Sequence, residues 1–340
     1  MKRPIYYPQA LLLMTLLCCT SLAQAAERWF RVELFVFSQG GAAAAREESW
    51  DPEPLLRYPD NYRFLLDPQR IARNKSLHPQ AKSQIDSRGL QRITFPEPGD
   101  LAAVDIPIID SPASDDKPLD NGEGGHQELA NADQPPAPQL PQAYALRDAS
   151  ELTFRGKAAY MERNGSYRTL FHQTWLQPIV SESQALPIIL DHSGDDAAYP
   201  ALQGSIKLYL SRYLHLETNL WLNTQGDYLS GEWRMPAPPL GPSSVQVVKP
   251  AKEILSAEEA LSSLSAQEGL EPAAELEQPG DDTDSSPHYP YRHAVLLQQS
   301  RRMRSNEVHY IDHPMLGLVV KLTPLTDSDL QQLGAAQSAL

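Results

Sequence analysis

Leucine and isoleucine fall on every second position through Gly204–Asn223 (GSIKLYLSRYLHLETNLWLN). Ile206, Leu208, Leu210, Leu214, Leu216, Leu220 and Leu222 share one face, interrupted by Arg212 and Thr218. A period of two is a strand signature. The odd positions set Tyr209, Tyr213 and Trp221 among Lys207, His215, Glu217 and Asn219, so the opposite face reads as polar with aromatic insertions. A single strand of this length would reach roughly 55 Å at about 3.3 Å per residue, which predicts a bend or a split near Arg212. Asn223–Asp227 then reads as a turn and Tyr228–Arg234 as the return strand.

Elsewhere the patterns are shorter. Trp29–Phe37 (WFRVELFVF) is apolar on both faces and bounded by Ser38-Gln39-Gly40-Gly41, which predicts a central, buried strand. Residues 42–95 show no clear periodicity, with Tyr62–Leu66 and Gln91–Phe95 as short strands. Ser150 suits the N-cap of a helix running through Glu151-Leu152 to Arg163, closed by Asn164-Gly165. Tyr167–Gln177 reads as a strand that Pro178 ends. His293–Met303 reads as a strand turning at Ser305-Asn306 into its partner Glu307–Ile311, with Leu316–Leu322 the last strand after the Asp312-His313-Pro314 corner. Strands outnumber helices and short turns join neighbours. The expected fold class is α+β: mostly antiparallel β-sheet with one or two packed helices and long disordered acidic insertions.

Charge locates those insertions. The formal net charge is -14 over 340 residues. Pro96–Pro135 holds ten acidic residues against Lys117 alone, and Ala251–Pro290 ten against Lys252 alone, so these two stretches carry more than the whole excess and the rest of the chain is slightly basic. Both are rich in Pro, Gly, Ser, Asp and Glu and too poor in apolar residues to offset the entropy of ordering. Lys252–Leu270 carries apolar residues at 254, 257, 261 and 264, a spacing that suits either a transient amphipathic helix or a partner-docking one.

The N-terminus reads as an export leader. Lys2 and Arg3 precede an apolar run, Ala10–Cys19, too short to span a bilayer, and Ala23-Gln24-Ala25 offers the small-x-small cleavage pattern. Lipidation at Cys18 or Cys19 ranks second, because Leu16 and Leu17 precede the pair where a small residue is wanted. Both cysteines leave with the leader, which excludes thiol nucleophiles, thiolate metal sites and disulfides from the mature chain. The chain therefore divides into a signal peptide (1–25), an N-terminal strand and irregular core segment (26–95) and a disordered acidic linker (96–139). Core helix and strands (140–235), a Pro-rich acidic linker (236–287), C-terminal core strands (288–325) and a tail (326–340) follow. No later run is long and apolar enough to span a membrane, so the mature chain should be soluble in the periplasm.

Common catalytic and phosphate-binding motifs are absent, and no catalytic residue, metal or cofactor is expected. His309 and His313 with Asp312 could ligate zinc; alternatively Asp312 and His313 hydrogen-bond the corner before Pro314. Arg301, Arg302 and Arg304 form a basic cluster. One reading is a groove for the carboxylates and acetamido groups of a cell-wall peptide or glycan, with Tyr209, Tyr213, Trp221 or Trp175 stacking on sugars. In the other, these arginines are solvated. Arg212, on an apolar face, should pair with a buried acid such as Glu33. Few basic residues and an acidic mature chain disfavour nucleic acid.

Six blocks together resemble the CsiV family. They are Trp29-Phe30-Arg31-Val32-Glu33-Leu34, Glu48-Ser49-Trp50, Tyr167-Arg168 to Trp175-Leu176-Gln177, Arg212-Tyr213-Leu214-His215-Leu216, Ser300-Arg301-Arg302-Met303 and the closing Glu307-Val308-His309-Tyr310-Ile311-Asp312-His313-Pro314-Met315-Leu316-Gly317. The resemblance implies a non-enzymatic periplasmic peptidoglycan-binding protein tied to cell-shape integrity. It also implies action with LpoA, the outer-membrane lipoprotein activator of a class A, bifunctional penicillin-binding protein. It assigns no ligand residues. On physical grounds the candidate wall-binding set is Arg301, Arg302, Tyr213, His215, Trp175, Trp221, Tyr310, Asp312 and His313. The alternative is a periplasmic protein-interaction module without direct wall binding.

Overall fold

A computed structural model describes residues 28–39, 50–96, 140–165, 167–249 and 287–338. The leader with both cysteines, most of the two acidic stretches and the Lys252–Leu270 segment lie outside the described residues.

Two sheets share one core. In the first, β1 (Arg28–Ser38) sits between β12 (Leu316–Pro324) and β5 (Arg168–Ile179), all antiparallel, and β11 (Val308–Asp312) adds to the free edge of β12. Alternation along β1 decides what each face meets. Phe30, Val32, Leu34 and Val36 point into the shared core with Leu316, Leu318, Val320 and Leu322. On the outer face, Phe35 and Phe37 meet helix α2 (Arg155–Arg163) through Phe154 and Ala158, and Trp29 meets helix α4 (Asp327–Ser338) through Leu330. With both faces covered, β1 is the central buried strand its sequence predicts.

The second sheet runs β10 (His293–Met303), β8 (Leu214–Thr224), β7 (Leu202–Leu210), β6 (Ile188–Ile189), β2 (Arg63–Phe64). β7 and β8 are the long alternating segment, split at Ser211-Arg212-Tyr213 into an antiparallel hairpin that pairs Leu210 with Leu214, Leu208 with Leu216 and Leu202 with Leu222. These leucines, with Ile206, Leu297 and Met303, close the core from the other side. Each such side chain withdrawn from water contributes about 1.5–3 kcal/mol against the entropy of folding. A third, small sheet joins β3 (Lys82–Ile85), β4 (Gln91–Thr94) and β9 (Val245–Val248).

Several expectations change. The helix expected from Ser150 is two pieces. Asp148 caps a 3-10 turn at Ala149–Glu151, and α2 begins only at Arg155 because the Glu33 carboxylate takes the backbone N–H of Thr153 and Phe154. It does end at Asn164 and a left-handed Gly165, as predicted. Pro178 does not end β5; an edge strand tolerates it on its open side. Tyr228–Arg234 is not a strand. β10 occupies that edge of β8, while the Arg292 guanidinium holds the carbonyls of Ser230, Gly231 and Trp233 in an irregular path. β10 and β11 form no hairpin, because the chain crosses at Ser305-Asn306 from one sheet to the other. Val245–Val248, inside the segment read as a linker, pairs with β4.

Helix α1 (Pro68–Leu77) falls in the stretch read as irregular, the short α3 (Ser193–Asp196) follows β6, and α4 falls in the tail. α1 starts as local chemistry dictates: Pro68 opens the first turn, and Asp67 accepts the N–H of Gln69 at 2.9 Å and of Arg70 at 3.3 Å. Asp67→Ala is expected to cost about 1 kcal/mol, read as a lower urea midpoint with unchanged slope.

Candidate functional site

The outward face of the second sheet carries the site. Register aligns side chains of β7, β8 and β10 in rows across it: Ser205, Asn219 and Gln298; Lys207, Glu217 and Ser300; Tyr209, His215 and Arg302. Successive rows lie about 7 Å apart, because side chains on one face recur every second residue. The first two rows floor a cleft of about 560 Å³ walled by Leu55, Arg57, Tyr58, Pro59, Asp60 and Pro187. Its size suits a small ligand, and its amides and hydroxyls supply donors and acceptors.

One wall is held by buried polar groups. The Tyr58 hydroxyl donates to Asp191 at 2.8 Å, and Asp191 also accepts the N–H of Gly204 at 2.9 Å and of Ser193 at 3.0 Å. Burial and the neighbouring Asp191 raise the Tyr58 phenol far above its ordinary value, so it stays a donor. Gln203 donates to the Ser193 hydroxyl at 3.2 Å and to the Pro239 carbonyl at 3.3 Å, tying in the segment after residue 235. Ser193 is 1% exposed and presents no nucleophile to a ligand.

The third row leads from the cleft to the β7–β8 turn. Tyr209 stacks on His215 at 5.0 Å with planes 7° apart, and its hydroxyl donates to Glu217 at 2.9 Å. Burial first, then that hydrogen bond, pushes the phenol up to about 12. Beside it, the guanidiniums of Arg302 and Arg212 lie 4.5 Å and 5.8 Å from the ring centre of the exposed Tyr213. Arg212 therefore does not pair with Glu33, because it sits in the turn, outside the buried face; Glu33 is taken by His172, Thr153 and Phe154.

The structure thus brings Arg302, Tyr213 and His215 together and leaves the other candidates elsewhere. Trp175 and Trp221 are 0% exposed, so neither indole can stack on a sugar; their N–H groups go to Gln177 and Gln203. Arg301, one residue from Arg302 on a strand, points to the opposite face, opposite Leu216. Tyr310, Asp312 and His313 build the corner at the far edge of the first sheet. There the Tyr310 hydroxyl and Gln39 amide donate to Asp312 at 2.7 and 2.8 Å, and His313 Nδ1 accepts the N–H of Met315 at 3.2 Å. Those two donors hold the Asp312 carboxyl below its ordinary range. His309 accepts the backbone N–H of Arg304 at 3.0 Å. Among the described residues no three His, Cys, Asp or Glu are grouped to hold a metal ion. Lys207 and Asn219 share the parity of Tyr209 and His215 but were not among the candidates, and Gln298 and Ser300 reach this face only through the β8–β10 register.

Fold and site define a class: an α+β protein that offers a polar, aromatic-flanked surface cleft. The family model for CsiV, described as a peptidoglycan-binding protein, matches residues 9–325. The chain belongs to the CsiV family, and this makes it a peptidoglycan-binding protein of the cell envelope. No curated protein and no solved structure matches it. Among the described residues no helix is long and apolar enough to cross a membrane.

Proposed function

We propose that this chain is a non-enzymatic accessory protein of the Gram-negative periplasm that binds peptidoglycan in the cleft above β7, β8 and β10. In this reading it supports wall synthesis and cell shape with LpoA, the outer-membrane lipoprotein activator of a class A penicillin-binding protein. The wall-binding part is carried by one observation: in a chain of a peptidoglycan-binding family, Asn219, Gln298 and Ser300 present amides and a hydroxyl in a cleft of glycan size. Such groups match sugar hydroxyls and acetamides. Export is supported by Lys2-Arg3, the apolar run and Ala23-Gln24-Ala25. The role with the lipoprotein rests on family membership.

Purified mature chain is expected to co-sediment with isolated sacculi at low salt. Protein left in the supernatant would overturn wall binding. Glu217 and Asp60 both line the cleft, so release of soluble fragments from the sacculi in the same tubes would replace binding with hydrolysis. Crosslinking in cells lacking the lipoprotein separates the remaining alternative: wall localisation persists if the wall is the ligand and is lost if the protein is only an interaction module.

A further inference from the structure

We propose that the paired guanidiniums on Tyr213 take a carboxylate of the peptide stem, so that the protein reads the junction of glycan and stem instead of glycan alone. This rests on the wall-binding reading above. Arg302 sits over an aromatic ring. Its guanidinium lies 4.5 Å from the Tyr213 ring centre, and the Arg212 guanidinium lies 5.8 Å from the same ring. A cation held over a ring in this way takes up no hydrogen bond to another polar group, so the N–H donors of the fork remain to grip a carboxylate by two parallel hydrogen bonds.

Neighbouring charges leave these two cations available. Among the described residues neither makes an ion pair, whereas Arg304 pairs with Glu307 at 3.5 Å. The acids nearest the third row are Glu217, which accepts the Tyr209 hydroxyl and lies across the ladder from Lys207, and Glu182, which acts on Tyr209. Arg301 faces the other way.

Position supplies the rest. Arg302 lies two residues beyond Ser300 on β10, and Ser300 lines the cleft, so the Arg302 backbone stands about 7 Å past the last row of the cleft floor, with Arg212 in the adjoining turn. Peptidoglycan joins an uncharged acetamido sugar chain, through a lactyl ether, to a peptide whose first free carboxylate stands on its second residue. A disaccharide seated on the polar floor therefore projects its stem along the third row, past the Tyr209–His215 stack, onto Arg302 and Arg212.

The test compares two soluble probes, a disaccharide-tetrapeptide and the same disaccharide without peptide, titrated into the full mature chain alongside intact sacculi. The peptide-bearing probe is expected to bind at least about tenfold more tightly, the ratio one charge-assisted bidentate contact supplies. Arg302→Ala should erase that ratio with the disaccharide affinity unchanged, Arg302→Lys should restore part of it, and Arg301→Ala should leave it intact. Arg302 is exposed on an edge strand, and an unfolding midpoint equal to that of wild type confirms that the variant folds. Equal affinity for the two probes, or an Arg302→Ala loss shared by both, overturns stem recognition while wall binding stands. Failure of both probes and of sacculi to bind overturns the wall-binding reading itself.

Discussion

Gly204→Ala is expected to cost roughly 3–5 kcal/mol and, in cells, to send much of the protein into aggregates. Gly204 lies in β7 opposite Leu220 with φ at +115°, a backbone region that side chains rarely enter. A Cβ there would stand 2.1 Å from the Asn219 carbonyl oxygen and 3.0 Å from the Leu220 Cα, and both obstacles are backbone of the paired strand. Relief requires the hairpin ladder to open, because no side chain can swing away. Gly204 also donates its N–H to Asp191 at 2.9 Å and accepts the N–H of Leu190 at 3.1 Å, so movement would disturb the polar network that holds Tyr58 against the cleft. The next row of the floor is Ser205 with Asn219. Urea unfolding should show the midpoint falling with the slope retained, and whatever protein folds should bind sacculi less well. An unchanged midpoint would mean the hairpin is not closed as described.

The same hairpin shows how far the sequence could be read. Alternation from Ile206 to Leu222 identified the strands, their inward face and the break near Arg212, because a two-sheet core imposes a period of two. Parity, however, carries no meaning within a turn. Arg212 has the parity of the leucines but lies in the turn itself, so it needs no buried partner. Arg301 and Arg302 look like one cluster in sequence and are divided by the strand geometry that His293–Met303 already implied. Trp221 and Tyr209 read as surface aromatics because their neighbours are polar. Tyr209 is covered by the His215 ring stacked on it, and Trp221 by irregular segments that set Leu56, Tyr58 and Met235 against it; such segments carry no periodicity to announce where they lie. The cleft is the gap those segments leave. Its floor was legible as the odd positions of one strand, but its third column needed the β8–β10 register, which no local pattern encodes.

Glu33→Ala should destabilise the fold by about 3–5 kcal/mol, the usual effect of removing one partner from a buried, hydrogen-bonded charge cluster. Glu33 is 3% exposed at the middle of β1, between the parts of the outer face covered by α2 and α4. Its carboxylate accepts the N–H of Thr153 at 2.9 Å and of Phe154 at 2.8 Å, the Thr153 hydroxyl, and His172 Nε2 at 3.0 Å. Burial alone would raise its pKa. The hydrogen bonds from His172, Thr153 and Phe154 outweigh that and hold it below the ordinary 4.5. A folded value below the unfolded one means that the charged form stabilises the fold. Its contribution is complete above about pH 4.5 and is lost as the pH falls through the folded value. Glu33→Gln isolates this part, since the amide keeps the shape and cannot ionise. The stability gap between wild type and Glu33→Gln, from urea titrations at neutral pH and stepwise downward, should therefore be widest at neutral pH and narrow below about pH 4.5. Asp195, whose carboxyl is also held low, remains in both proteins and cancels in the difference. A gap that stays constant down to pH 3 would show that the carboxylate acts only through its shape. In that case α2 would owe its late start at Arg155 to packing of Phe154 and Ala158 against Phe35 and Phe37, not to the charge beneath its first turn.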